Sequence, residues 1–352
     1  MLLILVVVNI VENIKANTKA NCFVLALKPL IIWYDATCFY CNSKPTFFFT
    51  LLAQPTSKAS FKVVPLGVKG GIDESNLSAY LLAPVGTTEF ICLDAGTIHS
   101  GIQKAIENNT FKANHATVLK QYIKGYFISH AHLDHVAGLI INSPEDSAKN
   151  VYALPACMQM LQNFYFNGEG WTNFGDEGKG FLVKKYHFNT LQPNVTTPIV
   201  NTAMEVKTFP LSHINPFESA AFLVSKDDAF VLYLGDTGAD EIEKSDKLQL
   251  LWKEIAPLVM SKKLKGIFIE VSFPNEQPDD KLFGHLTPLL FYQEMNKLAD
   301  LTGVAAIKEL KIVITHNKPP AANIGKIKIQ LNAANMLALK LIFPEQGRGF
   351  TL

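Results

Sequence analysis

The stretch that most restricts this chain is Phe127-Ile128-Ser129-His130-Ala131-His132-Leu133-Asp134-His135-Val136-Ala137-Gly138. An apolar run leads into four potential metal ligands within six positions. In an extended segment alternate residues point to the same side, so the imidazoles of His130 and His132 converge on one ion. Asp134 and His135, just past the strand end, can turn toward a second ion, and Gly138 allows the chain to turn sharply. The competing reading makes some of these residues ordinary polar groups at a helix start, with Asp134 as an N-terminal acid. It does not account for all four in one HxHxDH array.

Composition narrows what such an array serves. Of 352 residues 48% are hydrophobic and 18% charged, with a formal net charge of +1, which describes a globular chain and excludes a disordered one. Arg348 is the only arginine. Bidentate clamps for phosphates or base edges are therefore nearly absent, which argues against a nucleic-acid partner. Five cysteines are too few and too scattered for a disulfide framework. Cys38 and Cys41 have CxxC spacing, but no second such pair completes a zinc site.

The charge also divides the chain. Residues 1–60 hold five lysines, Glu12 and Asp35, whereas the remainder has a slight acidic excess. Three apolar runs, Leu2–Val8, Phe23–Trp33 and Thr46–Ala53, are each shorter than the ~20 residues that span a bilayer, so no stable membrane insertion is expected. The third run, between Lys44 and Ser57-Lys58-Ala59, has the order of a signal peptide displaced from Met1. Residues 1–60 are expected to be an extension with this signal-like segment, and export or cytoplasmic retention are equally compatible with it. From Phe61 onward strand patterns recur at Phe61–Leu66, Ala79–Leu82, Glu89–Leu93, Gly125–Ile128, Phe222–Val224, Ala229–Leu234, Gly266–Ile269 and Lys311–Ile314. Helical patterns lie at Ile102–Glu107, Leu154–Phe164, Lys247–Ala256 and Pro288–Leu301. Residues 61–352 are expected to form one α/β (α+β) catalytic domain, with two sheets covered by helices.

The HxHxDH array resembles that of the metallo-β-lactamase superfamily. The longer HLDHVAGLIINSP (132–144), followed by Gly284-His285-Leu286-Thr287-Pro288, resembles the class II cyclic-nucleotide phosphodiesterases. Family-like pieces run in order from Gly70-Gly71 through Leu93-Asp94-Ala95-Gly96, Ser212-His213, Leu234-Gly235-Asp236-Thr237-Gly238 and Ile269-Glu270 to Ile314-Thr315-His316. Thr172 departs from the pattern, standing where a WPN-like string has proline. The resemblance implies a four-layer αββα sandwich that converts 3′,5′-cyclic nucleotides, cAMP before cGMP, to 5′-monophosphates with a hydroxide held by two zinc ions.

Two ions need roughly seven protein ligands, one of them an anionic bridge, if water and substrate are also to bind. Asp236 follows an apolar run in a turn-forming Gly-Asp-Thr-Gly, and His213 and His316 each end a strand-like run. The resemblance assigns His130, His132 and His213 to one ion and Asp134, His135 and His316 to the other, with Asp236 bridging. His285 competes with His316 for the last place. The resemblance instead pairs His285 with Glu270 beside the ions, where the carboxylate would keep the ring protonated as a general acid. Asp134, Glu270 and His285 are thus the expected catalytic groups, and Asp94 is expected to orient a ligand. Imidazole-rich sites suit Zn2+, with Mn2+ or Fe2+ as substitutes. Trp171, Asn173 and Phe174, in a Gly-rich stretch, are candidate substrate contacts, the aromatic pair as a stacking wall. His99, His115 and His187 are assigned surface or core roles. Rival activities of the same fold are RNA 3′-end cleavage and ester or lactone hydrolysis, and a non-catalytic binding descendant is a further alternative. The sequence does not set the oligomeric state, and a dimer is compatible with it.

Overall fold

The computed structural model describes residues 59–352 and, before them, only the backbone of two paired strands, β1 (Val24–Leu27) and β2 (Leu30–Trp33). The Leu2–Val8 and Thr46–Ala53 runs, the Cys38/Cys41 pair and most of the signal-like segment lie outside the described residues. Residues 59–352 form one compact unit, described here by itself.

Its first sheet comprises β3 (Phe61–Gly67), β4 (Ala79–Pro84), β5 (Phe90–Leu93), β6 (Ile123–Phe127), β7 (Lys149–Ala153) and β8 (Tyr186–Thr190). Its second comprises β9 (Thr196–Pro198), β10 (Glu205–Ser212), β11 (Glu218–Lys226), β12 (Ala229–Leu234), β13 (Leu264–Glu270), β14 (Lys311–Thr315) and β15 (Lys340–Ile342). The last strand, β16 (Phe350–Thr351), returns to the edge of the first sheet beside β3. In each sheet antiparallel pairing gives way to parallel pairing, from β5 onward in the first and from β12 onward in the second.

Strands covered on both faces read as continuous apolar runs, and the two-residue period separates their faces. Phe61, Val63, Tyr80 and Leu82 meet Phe222, Val224, Val231, Tyr233 and Phe268 between the sheets. Their neighbours Val64, Leu66, Leu81 and Cys92 face outward against the helices His99–Glu107, Leu133–Asn142 and Pro155–Met160. On the second sheet Leu223, Leu232, Ile267 and Ile312 pack under the helices Lys247–Met260, Pro288–Thr302 and Ala321–Ala333. The result is the expected four-layer αββα sandwich.

Several local expectations change. The helical pattern at Leu154–Phe164 is an α-helix only to Met160 and then a π-helical turn, Leu161–Tyr165. Gly138 is not a turn residue, since the helix Leu133–Asn142 runs through it. Its lack of a side chain serves close packing: a Cβ there would stand 2.7 Å from the Ala95 carbonyl oxygen and 2.8 Å from Ile98 N. Strand β7 went unread because Lys149 and Asn150 break its apolar run, yet Lys149 is buried and ion-paired to Asp146 at 2.7 Å. No helix among the described residues is long and apolar enough to cross a membrane.

Trp252 is fully buried and donates its indole N–H to the buried carboxylate of Glu294 at 2.9 Å. Trp252→Ala should lower unfolding free energy by about 3–5 kcal/mol, from the cavity and the lost donor, as read by urea denaturation. Ser60 N donates to Leu352 O at 2.7 Å, so the first strand and the chain end are joined within residues 59–352. Protein beginning at residue 59 should therefore fold cooperatively, and insoluble product would place the preceding segment in the core.

Candidate metal centre and active site

Parallel strands all end on one side of a sheet, and their ends are where an α/β layer opens to a ligand. Here the ends of both sheets contribute. Beyond β5 lies Asp94, and beyond β6 come His130, His132, Asp134 and His135. Beyond β12 lies Asp236, β13 ends on Glu270, and β14 is followed by His316. Antiparallel β10 ends beside His213. All seven expected ligands fall into interlocking groups whose donor atoms lie within 4.8 Å of one another. Asp94 and His316 both take positive φ, 53° and 55°, which side chains other than glycine seldom adopt.

The hydrogen bonds settle which ring nitrogens face inward. His213 Nδ1 lies 2.9 Å from the Gly284 carbonyl and His135 Nδ1 lies 2.8 Å from Asp94 Oδ2; both partners only accept, so both Nδ1 atoms carry the proton. The Ser129 hydroxyl donates to Asp94 Oδ2 at 2.8 Å, leaving its oxygen to accept from His130 Nδ1 at 3.0 Å. Ser272 does the same between Glu270 Oε2, at 2.6 Å, and His316 Nδ1, at 2.9 Å. Four rings thus turn Nε2 toward one oxygen, Asp236 Oδ2, with a lone pair there on His130 and His213. It stands 3.2 Å from His316, 3.3 Å from His135, 3.8 Å from His130 and 4.0 Å from His213.

This donor set fits divalent metal. His132 Nδ1 faces two of those lone pairs, at 3.0 Å from His130 Nε2 and 3.3 Å from His213 Nε2, and one proton on it satisfies only one of them. His135 Nε2 is buried and makes no hydrogen bond. A divalent cation would take the lone pairs of His130 and His213, displace the protons at Nε2 of His135 and His316, and bind the buried carboxylate as well. Asp134 Oδ2 accepts from Gly71 N at 2.9 Å and lies 3.1 Å from His316 Nε2, so it joins the same face as His135 and His316.

Burial holds the His130 ring well below the usual imidazole range and pushes His213 down to about 4. Burial also acts on His135, but Asp236 and Asp94 outweigh it and raise that ring well above the usual range. For Asp236, burial alone would favour the neutral acid; the His316 and His135 rings reverse this and hold it ionised.

His285 and Glu270 form a buried pair, Nδ1 to Oε1 at 2.7 Å. The sequence missed what stands on the other side of the ring: Lys318 Nζ, 2.8 Å from His285 Nε2. An ammonium offers only protons, so Nε2 accepts and the ring's own proton sits on Nδ1. The expected imidazolium flanked by a carboxylate alone is therefore corrected to a chain, Glu270–His285–Lys318, whose extra proton lies on the Nζ···Nε2 hydrogen bond. With its free nitrogen capped, His285 is less suited than His316 to be a ligand.

The loop offered as a substrate wall is also corrected. Asn173 is fully buried and donates to the Glu177 and Lys179 carbonyls, holding its own loop together. Phe174 packs against the helix-covered core under Lys185. Trp171 donates to Ser143 at the C-terminal end of the helix Leu133–Asn142, roughly 15 Å along the axis from the end that bears Asp134 and His135. His187 is exposed and bridged to Asp176, and His99 stacks near His115 with ring centres 4.2 Å apart, both outside the cluster. Ser129, Ser272, Tyr233 and Gly70 also belong to the site; Gly70 and Ser272 stood within family-like strings, but none of the four was given a role from the sequence. Each is a common residue whose role exists only through a distant partner, as with the Tyr233 hydroxyl on Asp94 Oδ2 at 2.7 Å.

Residues 59–347 match the family model described as cAMP phosphodiesterases class-II. The chain is 45% identical over 304 residues to a 3′,5′-cyclic-nucleotide phosphodiesterase of Aliivibrio fischeri, covering 82% of this chain and 92% of that protein. A "Probable 3′,5′-cyclic-nucleotide phosphodiesterase" of Yersinia pestis is 39% identical, over 83% of this chain and 89% of that one. Among solved structures, unliganded yeast PDE1 superposes with a TM-score of 0.75 at 21% identity, covering 84% of this chain and 100% of that chain, a likeness of fold. The metallo-β-lactamase fold protein YhfI of Bacillus subtilis superposes at 0.56 and 15% identity, over 84% of this chain and 100% of its own.

Gly70 gives a test that touches no ligand. A Cβ there would stand 2.1–2.4 Å from the His316 ring. Gly70→Ala should therefore displace His316 and lower bound divalent metal per chain, measured by elemental analysis, while far-UV circular dichroism stays native. Unchanged metal content would mean that His316 holds none.

Proposed function

Because this chain belongs to the class II cAMP phosphodiesterase family, we propose that it hydrolyses 3′,5′-cyclic nucleotides, cAMP in preference to cGMP, to 5′-monophosphates at the His/Asp cluster. The observation that carries the reading is the convergence of four histidine Nε2 atoms on Asp236 Oδ2, all within 4.0 Å. Two Zn2+ ions, or Mn2+ or Fe2+ in their place, would be held by His130, His132 and His213 on one side and Asp134, His135 and His316 on the other, with Asp236 between. Bound there, they acidify water and neutralise the charge of a phosphodiester, which suits a chain with one arginine.

The protein's own groups do the rest. Asp94 is fully buried and accepts from Ser129 N at Oδ1 and from Ser129 Oγ, His135 Nδ1 and Tyr233 OH at Oδ2, which locks the His135 ring. The bond from phosphorus to O3′ breaks slowly unless a proton reaches the departing alkoxide. The Glu270–His285 pair lies against the cluster, with His285 Nδ1 3.8 Å from Asp236 Oδ2. We assign the proton shared on the Lys318 Nζ···His285 Nε2 hydrogen bond to the departing O3′: Nε2 takes it from the ammonium, Glu270 on Nδ1 stabilises the charge this brings to the ring, and the ring then gives it to the alkoxide.

The reading predicts hydrolysis of cAMP, and of cGMP more slowly, with both activities lost on exhaustive chelation. His285→Ala should lower cAMP turnover by about 10²–10⁴-fold, the usual range for a general acid, with metal content unchanged. Bis(p-nitrophenyl) phosphate, whose leaving group hardly needs a proton, should be much less affected. Loss of metal from His285→Ala, with equal damage to both substrates, would make His285 a ligand instead.

A further inference from the structure

Among the described residues, Lys318 is the only lysine or arginine whose side chain hydrogen-bonds to a residue of the cluster or of the Glu270–His285 pair. It forms no ion pair with any described carboxylate, whereas Lys69, Lys149, Lys207, Lys247 and Lys297 all do. Its ammonium carries three N–H donors. One goes to His285 Nε2 at 2.8 Å, and the other two have no hydrogen-bond partner among the described residues.

Its position is built rather than incidental. Lys318 N donates to the Ser272 carbonyl at 3.2 Å, and Asn317 Nδ2 donates to the Val271 carbonyl at 2.6 Å, tying this segment to the end of β13. The Nζ atom lies 5.5 Å over the Phe273 ring, whose centre is 5.8 Å from that of His285. A half-buried ammonium is therefore held by its stem, an aromatic face and an imidazole, with two donors to spare.

Ammonium N–H groups are the donors a phosphate oxygen takes, and a phosphodiester brings one negative charge to them.

We propose that Lys318 is a substrate-binding residue whose two free N–H groups hold a non-bridging phosphate oxygen of the diester, while its third bond to His285 fixes its place. This rests on the phosphodiesterase reading. It assigns Lys318 to the phosphate, common to all diesters, and leaves His285 to the leaving oxygen, which differs between them.

The test uses full-length, metal-loaded protein with Lys318→Met and Lys318→Arg. Lys318→Met should raise KM for cAMP and bis(p-nitrophenyl) phosphate alike, by about 10-fold or more, the size of a lost charge-assisted hydrogen bond. It should weaken inorganic phosphate binding, measured by calorimetry, by a similar factor, with metal content unchanged; Lys318→Arg should restore much of both. Unchanged KM and unchanged phosphate binding in Lys318→Met would overturn the assignment, as would loss of rate only on the poor leaving group, which would make Lys318 part of proton delivery alone. If the wild-type protein hydrolyses no cyclic nucleotide, the phosphodiesterase reading fails, and calorimetry with phosphate still decides whether Lys318 binds the anion.

Discussion

Everything around the site follows from burying Asp236. A carboxylate 2% exposed to solvent costs several kcal/mol unless positive charge or hydrogen bonds replace its lost water. Among the described residues no lysine or arginine ion-pairs with it; the groups around it are imidazoles, delivered from both sheets by the loops after β6, β10 and β14. The sandwich accordingly closes so that strand ends from its two sheets meet over a single oxygen atom.

Imidazoles meet that need either as protonated rings or by holding a cation beside the carboxylate, and the surrounding acceptors orient them for both. A carbonyl, a carboxylate and two serine oxygens each face one Nδ1, which leaves Nε2 directed at Asp236. Asp94 and Glu270 anchor this outer ring of acceptors, one under each sheet. The same ring fixes the orientation of its members: His135, Ser129 and Tyr233 are all bound to one carboxylate oxygen, Asp94 Oδ2. Pre-set geometry of this kind lowers the cost of holding an ion in a fixed coordination.

Glu270 extends the logic past the cluster. Burial would keep it neutral, but the charge and hydrogen bond of His285 hold its carboxyl below the usual range. Through His285 it reaches Lys318, so that one strand end links the His/Asp cluster, by way of Ser272 and His316, to a basic group on the other side.

The ligands were legible because metal chemistry demands rare residue types at strand ends. HxHxDH after an apolar run, an acid in Gly-Asp-Thr-Gly after another, and single histidines closing two more are improbable by chance, and the two-sided burial of the strands was readable from their unbroken apolar runs. Lys318, Ser272 and Ser129 were not legible, since lysine and serine are common and gain their roles only from partners brought close by folding. Trp171 and Phe174 misled for the converse reason: aromatic residues near a motif in sequence proved to lie at the wrong end of a helix, or in the core. Sequence by itself determined the metal-binding residue types and the layered architecture, because both depend on local pattern. Tertiary structure alone decided which ring nitrogens face Asp236, which histidine pairs with Glu270 and which lysine caps that histidine, because hydrogen-bond direction and distance between remote residues exist only once the sheets have packed.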